Sequence, residues 1–174
     1  MMTKQIGFKI FLSIFILLFG MTGLLHADEE EKLPIPRFVS LKSNKVNVRV
    51  GPKQDYPIRW VYHRQGLPVE IIQEFDTWRK IRDVEGEEGW IASSLLTGTR
   101  TMIVAPWNKD KNQTITLYSD PSNSSAAVAY LEPGVIGKIY NCNGSWCRIS
   151  TNGKKGWVEQ SSIWGVYPNE IFSK

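Results

Sequence analysis

Lys45-Val46-Asn47-Val48-Arg49-Val50-Gly51-Pro52 is the stretch whose reading decides the fold. Val46, Val48 and Val50 alternate with Asn47 and Arg49, the period-2 pattern of a strand with one buried face. Gly51-Pro52 stops the strand, because proline lacks the N–H a ladder needs and glycine permits a turn. Ile58–Tyr62 is rich in strand formers, and Arg64-Gln65-Gly66 supplies the next turn. Leu67–Phe75 resumes with Val69, Ile71 and Phe75, Ile72 breaking strict alternation; Asp76-Thr77 reverses the chain. The bulky residues of Trp78–Val84 stand three apart, which predicts a bulge or twist there. After the polar turn Glu85–Gly89 comes Trp90-Ile91; Ala92–Leu96 suits one 3₁₀ turn, and Thr101–Val104 is expected to close the module. Short strands at close spacing with turn chemistry between them predict a small all-β barrel or sandwich.

The same order returns in the second half. Gly66 to Trp78 spans 12 positions and Gly134 to Trp146 also 12; Trp78 to Trp90 spans 12 and Trp146 to Trp157 spans 11. Gly89-Trp90-Ile91 reappears as Gly156-Trp157-Val158, and Ser94, Leu96 and Gly98 as Ser161, Ile163 and Gly165. Thr116-Leu117-Tyr118 with Asp120-Pro121 stands where Asn47-Val48-Arg49 and Gly51-Pro52 stood. The expected organisation is a leader over 1–27, a flexible tether over 28–37, a barrel over 38–104, a polar linker over 105–113 and a second barrel over 114–174. Domains this small are marginally stable alone, so packing of one against the other is expected.

Asn47-Val48-Arg49 before Gly51-Pro52, followed in order by Gly66, Trp78 and Gly89-Trp90-Ile91, resembles the bacterial SH3-like domains of cell-envelope proteins. The resemblance runs over nearly all of residues 38–168, more loosely in the second copy, which lacks the Asn and the Arg of the opening. It implies two tandem SH3-like β-barrels acting as a targeting module for peptidoglycan or as a dock for an envelope protein.

Residues 1–27 read as a secretory signal peptide. Lys4 and Lys9 supply the positive start, the apolar run from Ile10 follows, and Ala27 precedes a cleavage point before Asp28. The run of about 16 residues falls short of the ~20 that span a bilayer. An uncleaved anchor stays open, since Leu25 is not the small residue preferred at that position. The expected location is periplasmic or otherwise exported, with membrane contact only through an uncleaved leader. Of the 21 basic side chains, removing Lys4 and Lys9 leaves 19 scattered among 17 acids, which is no nucleic-acid footprint.

Cys142 and Cys147 are the two cysteines, separated by Asn143-Gly144-Ser145-Trp146, and Asn-Gly is a strong hairpin signal. Facing cysteines on hairpin strands come within bridging range, and an exported setting permits the bond. A metal site would need further Cys or His nearby, and a redox pair has Cys-x-x-Cys spacing. Beyond the leader His63 is the single histidine, and no nucleophile, zinc or phosphate-loop motif occurs. No catalytic function, metal or cofactor is therefore expected. Aromatic residues are the better lead: they either fill cores and cover barrel ends or line a groove where flat rings grip sugar and peptide faces. By the resemblance, Tyr56, Trp60 and Tyr62 surround the variable loop that lines the family's ligand face. Tyr118 and Tyr130 are the aromatic candidates of the second copy. Arg49 is expected either to pair with an acidic ligand group or to cap its strand.

Overall fold

The computed structural model describes residues 33–110 and 112–173. The leader read over 1–27 and the start of the tether lie outside them. Strands β1 (Arg37–Leu41), β2 (Val46–Arg49), β3 (Ile58–Tyr62), β4 (Pro68–Phe75), β5 (Trp78–Arg82), β6 (Glu88–Ala92) and β7 (Leu96–Thr97) form one antiparallel sheet, in the order β3-β2-β6-β5-β4-β1-β7. Strands β8 (Thr101–Val104), β9 (Ile115–Tyr118), β10 (Ala127–Leu131), β11 (Ile136–Asn143), β12 (Trp146–Thr151), β13 (Lys154–Glu159) and β14 (Ile163–Trp164) repeat that order as β10-β9-β13-β12-β11-β8-β14. Strand β15 (Ile171–Ser173) is added on β11. A 3₁₀ turn, Ser93–Leu95 or Gln160–Ser162, precedes the last short strand of each repeat. The protein is thus all-β, with two SH3-like domains.

The alternation in β2 works as expected for Val46 and Val48, both fully buried. Val50 departs from it: the strand ends at Arg49, and Val50 is 51% exposed where the chain turns away. Each repeat has its own aliphatic core. Val39, Leu41, Val46, Val48, Val69, Ile71, Ile81 and Ile91 fill the first; Met102, Val104, Leu117, Ile139, Ile149 and Val158 lead the second.

Thr101–Val104 does not close the first barrel. Its four residues are buried in the second sheet, where β8 pairs with β11 (Ile103 opposite Ile136) and with β14 (Val104 opposite Ile163). It holds the place that β1 holds between β4 and β7 in the first sheet. The segment read as an inter-barrel linker, 105–113, therefore runs from β8 toward β9 inside the second sheet, and the passage between sheets falls at residues 98–100. The bulge expected in Trp78–Val84 sits on the partner strand: Ile72 is the extra residue of β4, between the pairs Ile71 with Ile81 and Gln73 with Lys80. Tyr140 is the matching extra residue of β11.

The glycines of the repeated Gly-Trp pairs have a steric reason. A Cβ on Gly89 would run into the Val48 side chain, and one on Gly156 into the Tyr118 carbonyl oxygen. Strand β2 crosses β6 there, as β9 crosses β13. In the second sheet Cys142 and Cys147 face each other across β11 and β12, their sulfurs in bonding contact.

Aromatic packing joins the two barrels. Phe38 of β1 is buried with its ring 5.0 Å from Trp164 and 4.9 Å from Tyr167. The Arg100 guanidinium lies over Phe38 at 5.7 Å and over Phe172 at 4.7 Å. Arg100 donates from Nη1 and Nη2 to the two carboxylate oxygens of Glu170, each at 2.9 Å, and from Nη2 to the Gly165 carbonyl. Arg64 of the first repeat donates to the Gly134 carbonyl of the second at 3.0 Å. Burial alone would push the Glu170 carboxyl up, but the Arg100 hydrogen bonds and charge and the Tyr167 N–H together hold it below its ordinary value.

Gly89→Ala should destabilise the fold by about 1–3 kcal/mol through overpacking. Gly98→Ala, which meets nothing within 4 Å, should be near neutral, as read by denaturant unfolding. Because the Glu170 pKa is lowered on folding, its contribution is present above the ordinary glutamate pKa and is lost as pH falls through the folded value. Glu170→Gln should accordingly cost about 1–3 kcal/mol at neutral pH, with wild type and variant converging in acid. Non-reducing mass spectrometry of protein expressed in an oxidising compartment should find no free thiol; two free thiols would refute the bond.

Candidate functional site

A cleft of 890 Å³ opens where the two repeats meet. From the first repeat come Phe38, Glu70, Arg82 and Asp83; from the second come the β11–β12 turn with Trp146, then Glu159, Gln160, Trp164 and the segment through Tyr167. Register explains the grouping on the first side: Phe38 stands opposite Glu70 between β1 and β4, and Glu70 opposite Arg82 between β4 and β5.

Two of the carboxylates in this cleft, Glu70 and Asp83, are already hydrogen-bonded. Glu70, 6% exposed, accepts at Oε2 from Arg82 Nε at 3.0 Å and Nη2 at 2.7 Å, and at Oε1 from the Tyr167 hydroxyl at 2.9 Å. That last bond links residues 97 positions apart, one from each repeat. Asp83 accepts at Oδ2 from the Tyr62 hydroxyl at 2.7 Å and at Oδ1 from the N–H groups of Glu85 and Glu87. Burial, followed by the adjacent carboxylate, pushes both the Tyr62 and the Tyr167 phenols far above their ordinary pKa. Both phenols therefore remain O–H donors at any ordinary pH. The buried Gln160 amide donates to the Glu170 carbonyl at 2.9 Å and approaches Cys147 Sγ at 3.9 Å, which fixes the second-repeat wall. The Arg82 side chain is 46% exposed and presents its guanidinium on the first side while paired to Glu70. The arrangement offers rings and a guanidinium, the two phenol protons being already donated to Asp83 and Glu70.

The residues nominated from sequence fall into separate groups. Arg49 donates from Nη1 to the Tyr56 carbonyl at 2.6 Å, tying the loop after β2. The Tyr56 ring covers Gly51, where a Cβ would meet it at 2.7 Å, and the residue is 42% exposed. Trp60 packs against the first core and edge-on to Tyr62, centroids 6.0 Å apart, with the Arg59 guanidinium 5.4 Å over its ring. Tyr62 reaches the cleft wall through Asp83, and Tyr118 reaches it through Trp146, edge-on at 5.6 Å. Arg49, Tyr56, Trp60 and Tyr130 do not line the cleft; Tyr130 stands 69% exposed on β10.

Sequence reasoning singles out none of Glu70, Arg82, Trp164 and Tyr167 as site residues, and Trp146 only as a marker of the repeat and of the hairpin between the cysteines. One signal was available. With Ile163 matched to Leu96 and Gly165 to Gly98, Trp164 stands where the first copy has Thr97. A large ring replacing a small hydroxyl at an equivalent strand position marks a surface used in one copy only.

Comparison with known proteins agrees with this architecture. The bacterial SH3 domain family matches residues 42–98 and again residues 111–165. Among curated proteins the chain is 24% identical over 128 residues to the putative N-acetylmuramoyl-L-alanine amidase YrvJ of Bacillus subtilis (strain 168), covering 71% of this chain and 24% of that protein. Among solved structures it is similar to NlpC2 from Trichomonas vaginalis, with a TM-score of 0.34, 18% identity, and coverage of 76% of this chain and 49% of that one. It is also similar to an NlpC/P60 family protein from Bacillus cereus ATCC 10987, with a TM-score of 0.32, 13% identity, and coverage of 73% and 55%. The chain thus spans about a quarter of the amidase and about half of each solved structure. Matched twice, across most of its length, the chain belongs to the bacterial SH3 domain family.

Proposed function

We propose that this protein is an exported, non-catalytic binding module that holds peptidoglycan or a wall peptide in the cleft between its two barrels. The observation that carries the reading is the convergence of Trp146, Trp164 and Tyr167 with the exposed Arg82 guanidinium in one cleft. Its volume falls in the ~300–1,000 Å³ range of ligand sites. Rings of this kind grip sugar and peptide faces while polar edges keep their partners. Glu70 and Asp83 have their oxygens engaged inside the protein, which favours holding a ligand over proton transfer to it. The ligand class draws on the relative named for N-acetylmuramoyl-L-alanine, and export draws on the leader read over residues 1–27. Tyr56, Trp60 and Tyr62, with Arg49, form a second candidate contact face on the first barrel, and Tyr118 supports Trp146 from behind.

A protein-docking reading has its own observation. Strand β10 is the outermost of its sheet and exposes Val128 and Tyr130, an edge to which a partner strand can add.

Co-sedimentation with isolated peptidoglycan sacculi tests the first reading. Binding should saturate, and Trp146→Ala should weaken it about tenfold while Trp60→Ala leaves it nearly unchanged. Loss with Trp60→Ala alone would move the ligand to the first barrel's own face. No binding at low salt would overturn the wall reading in favour of docking along β10.

A further inference from the structure

The outer face of β11, β12 and β13 carries charge that its counterpart in the first barrel neutralises. In the first barrel the register row Glu70, Arg82, Glu88 alternates in sign, with Arg82 paired to Glu70 at 2.7 Å and Lys80 to Glu88 at 2.6 Å. The equivalent row in the second barrel is Lys138, Ser150, Lys155. Neither lysine forms a salt bridge among the described residues, nor does the neighbouring exposed Arg148. Both ammonium groups instead stand over the ring of Tyr140, with Nζ at 5.3 Å (Lys138) and 5.8 Å (Lys155) from its centroid. The Tyr140 hydroxyl lies 3.1 Å from Ser150 Oγ.

Tyr140 is the bulge residue of β11, and a bulge re-aims its side chain relative to the strand's alternation. The first copy has the apolar Ile72 at that bulge. The phenol is lowered from its ordinary pKa, first by the Ser150 hydrogen bond and, against burial, by the charges of Lys155, Lys138 and Arg148. Lys138 on β11 and Lys155 on β13 flank β12, which brings Arg148 rather than an acid to this face, and a bound anion offsets the repulsion among the three like charges. Ammonium groups bind phosphate as point charges, and hydroxyls beside them can add hydrogen bonds from other directions; the arginine fork takes carboxylate and phosphate alike. Beside Lys138 and Tyr140 a groove of 670 Å³ lies along the paired strands β11 and β15, and the exposed Ile171 lends it an apolar side chain for the carbon part of a ligand.

We propose that Lys138, Lys155, Tyr140 and Ser150, with Arg148 at the rim, form a site on the second barrel that takes the phosphate group of a phosphate-bearing ligand. The site is separate from the cleft between the barrels and does not depend on what that cleft holds.

The test is calorimetric titration of the full-length protein with inorganic polyphosphate at low salt, with poly-L-glutamate as the carboxylate comparator. Polyphosphate should bind saturably and more tightly than poly-L-glutamate. Lys138→Glu with Lys155→Glu should weaken it about tenfold or more, and Tyr140→Phe about threefold. The same charge change at Lys53 and Lys109, and Trp146→Ala in the cleft, should leave it within about twofold. If the double reversal loses its circular-dichroism spectrum, Lys138→Gln with Lys155→Gln carries the comparison. Absence of saturable binding, equal affinity for poly-L-glutamate, or equal weakening by the two lysine pairs would each overturn the proposal.

Discussion

Phe38 is the residue on which the tandem arrangement depends. Each repeat supplies a core of short aliphatic side chains, and domains of about 60 residues bury too little surface to be more than marginally stable alone. Phe38 lies on β1 of the first sheet and is covered by Trp164 and Tyr167 of the second repeat and by Arg100 of the passage between the sheets. One aromatic ring thus removes apolar surface from water on behalf of both repeats, and the Tyr167–Glu70 hydrogen bond fixes the orientation in which it does so. The cleft is a consequence of that joint, since its walls are the parts of the two barrels held apart around the contact.

Much of the fold was legible because it is local. Alternation in Val46 and Val48, the turn glycines at 66 and 134, and the repeated Gly-Trp pairs each express a constraint acting within a few residues or across one hairpin. Gly66 and Gly134 have positive φ, 76° and 81°, a backbone state that glycine adopts without strain. The misplaced strand, Thr101–Val104, shows where such reading ends. A run of four buried residues looks the same whether it closes one sheet or opens the next; only its pairing with β11 and β14 decides.

The candidate site was less legible for a related reason. Glu70 looks like one of several scattered acids until Arg82 is set beside it by strand register and Tyr167 by the packing of the repeats. Aromatic content pointed to rings as the binding groups but could not sort Trp60, which leans on a core, from Trp146, which lines the cleft. Comparison of the two copies is the more informative guide. Thr97 against Trp164, Glu70 against Lys138 and Ile72 against Tyr140 are places where the shared frame is kept and the chemistry is changed.

The clasp between Phe38 and Tyr167 also ties the first strand described to a segment near the last. Two residues 129 positions apart in sequence are in ring contact, so the barrels lie inside a closed loop of chain. A pull applied between the two sides of that loop is borne by the aromatic contact and the Arg100–Glu170 pair before it reaches either aliphatic core. Release of the clasp would part the cleft walls while both sheets stayed folded. Mechanical load and the opening of the cleft are thereby coupled through one small interface.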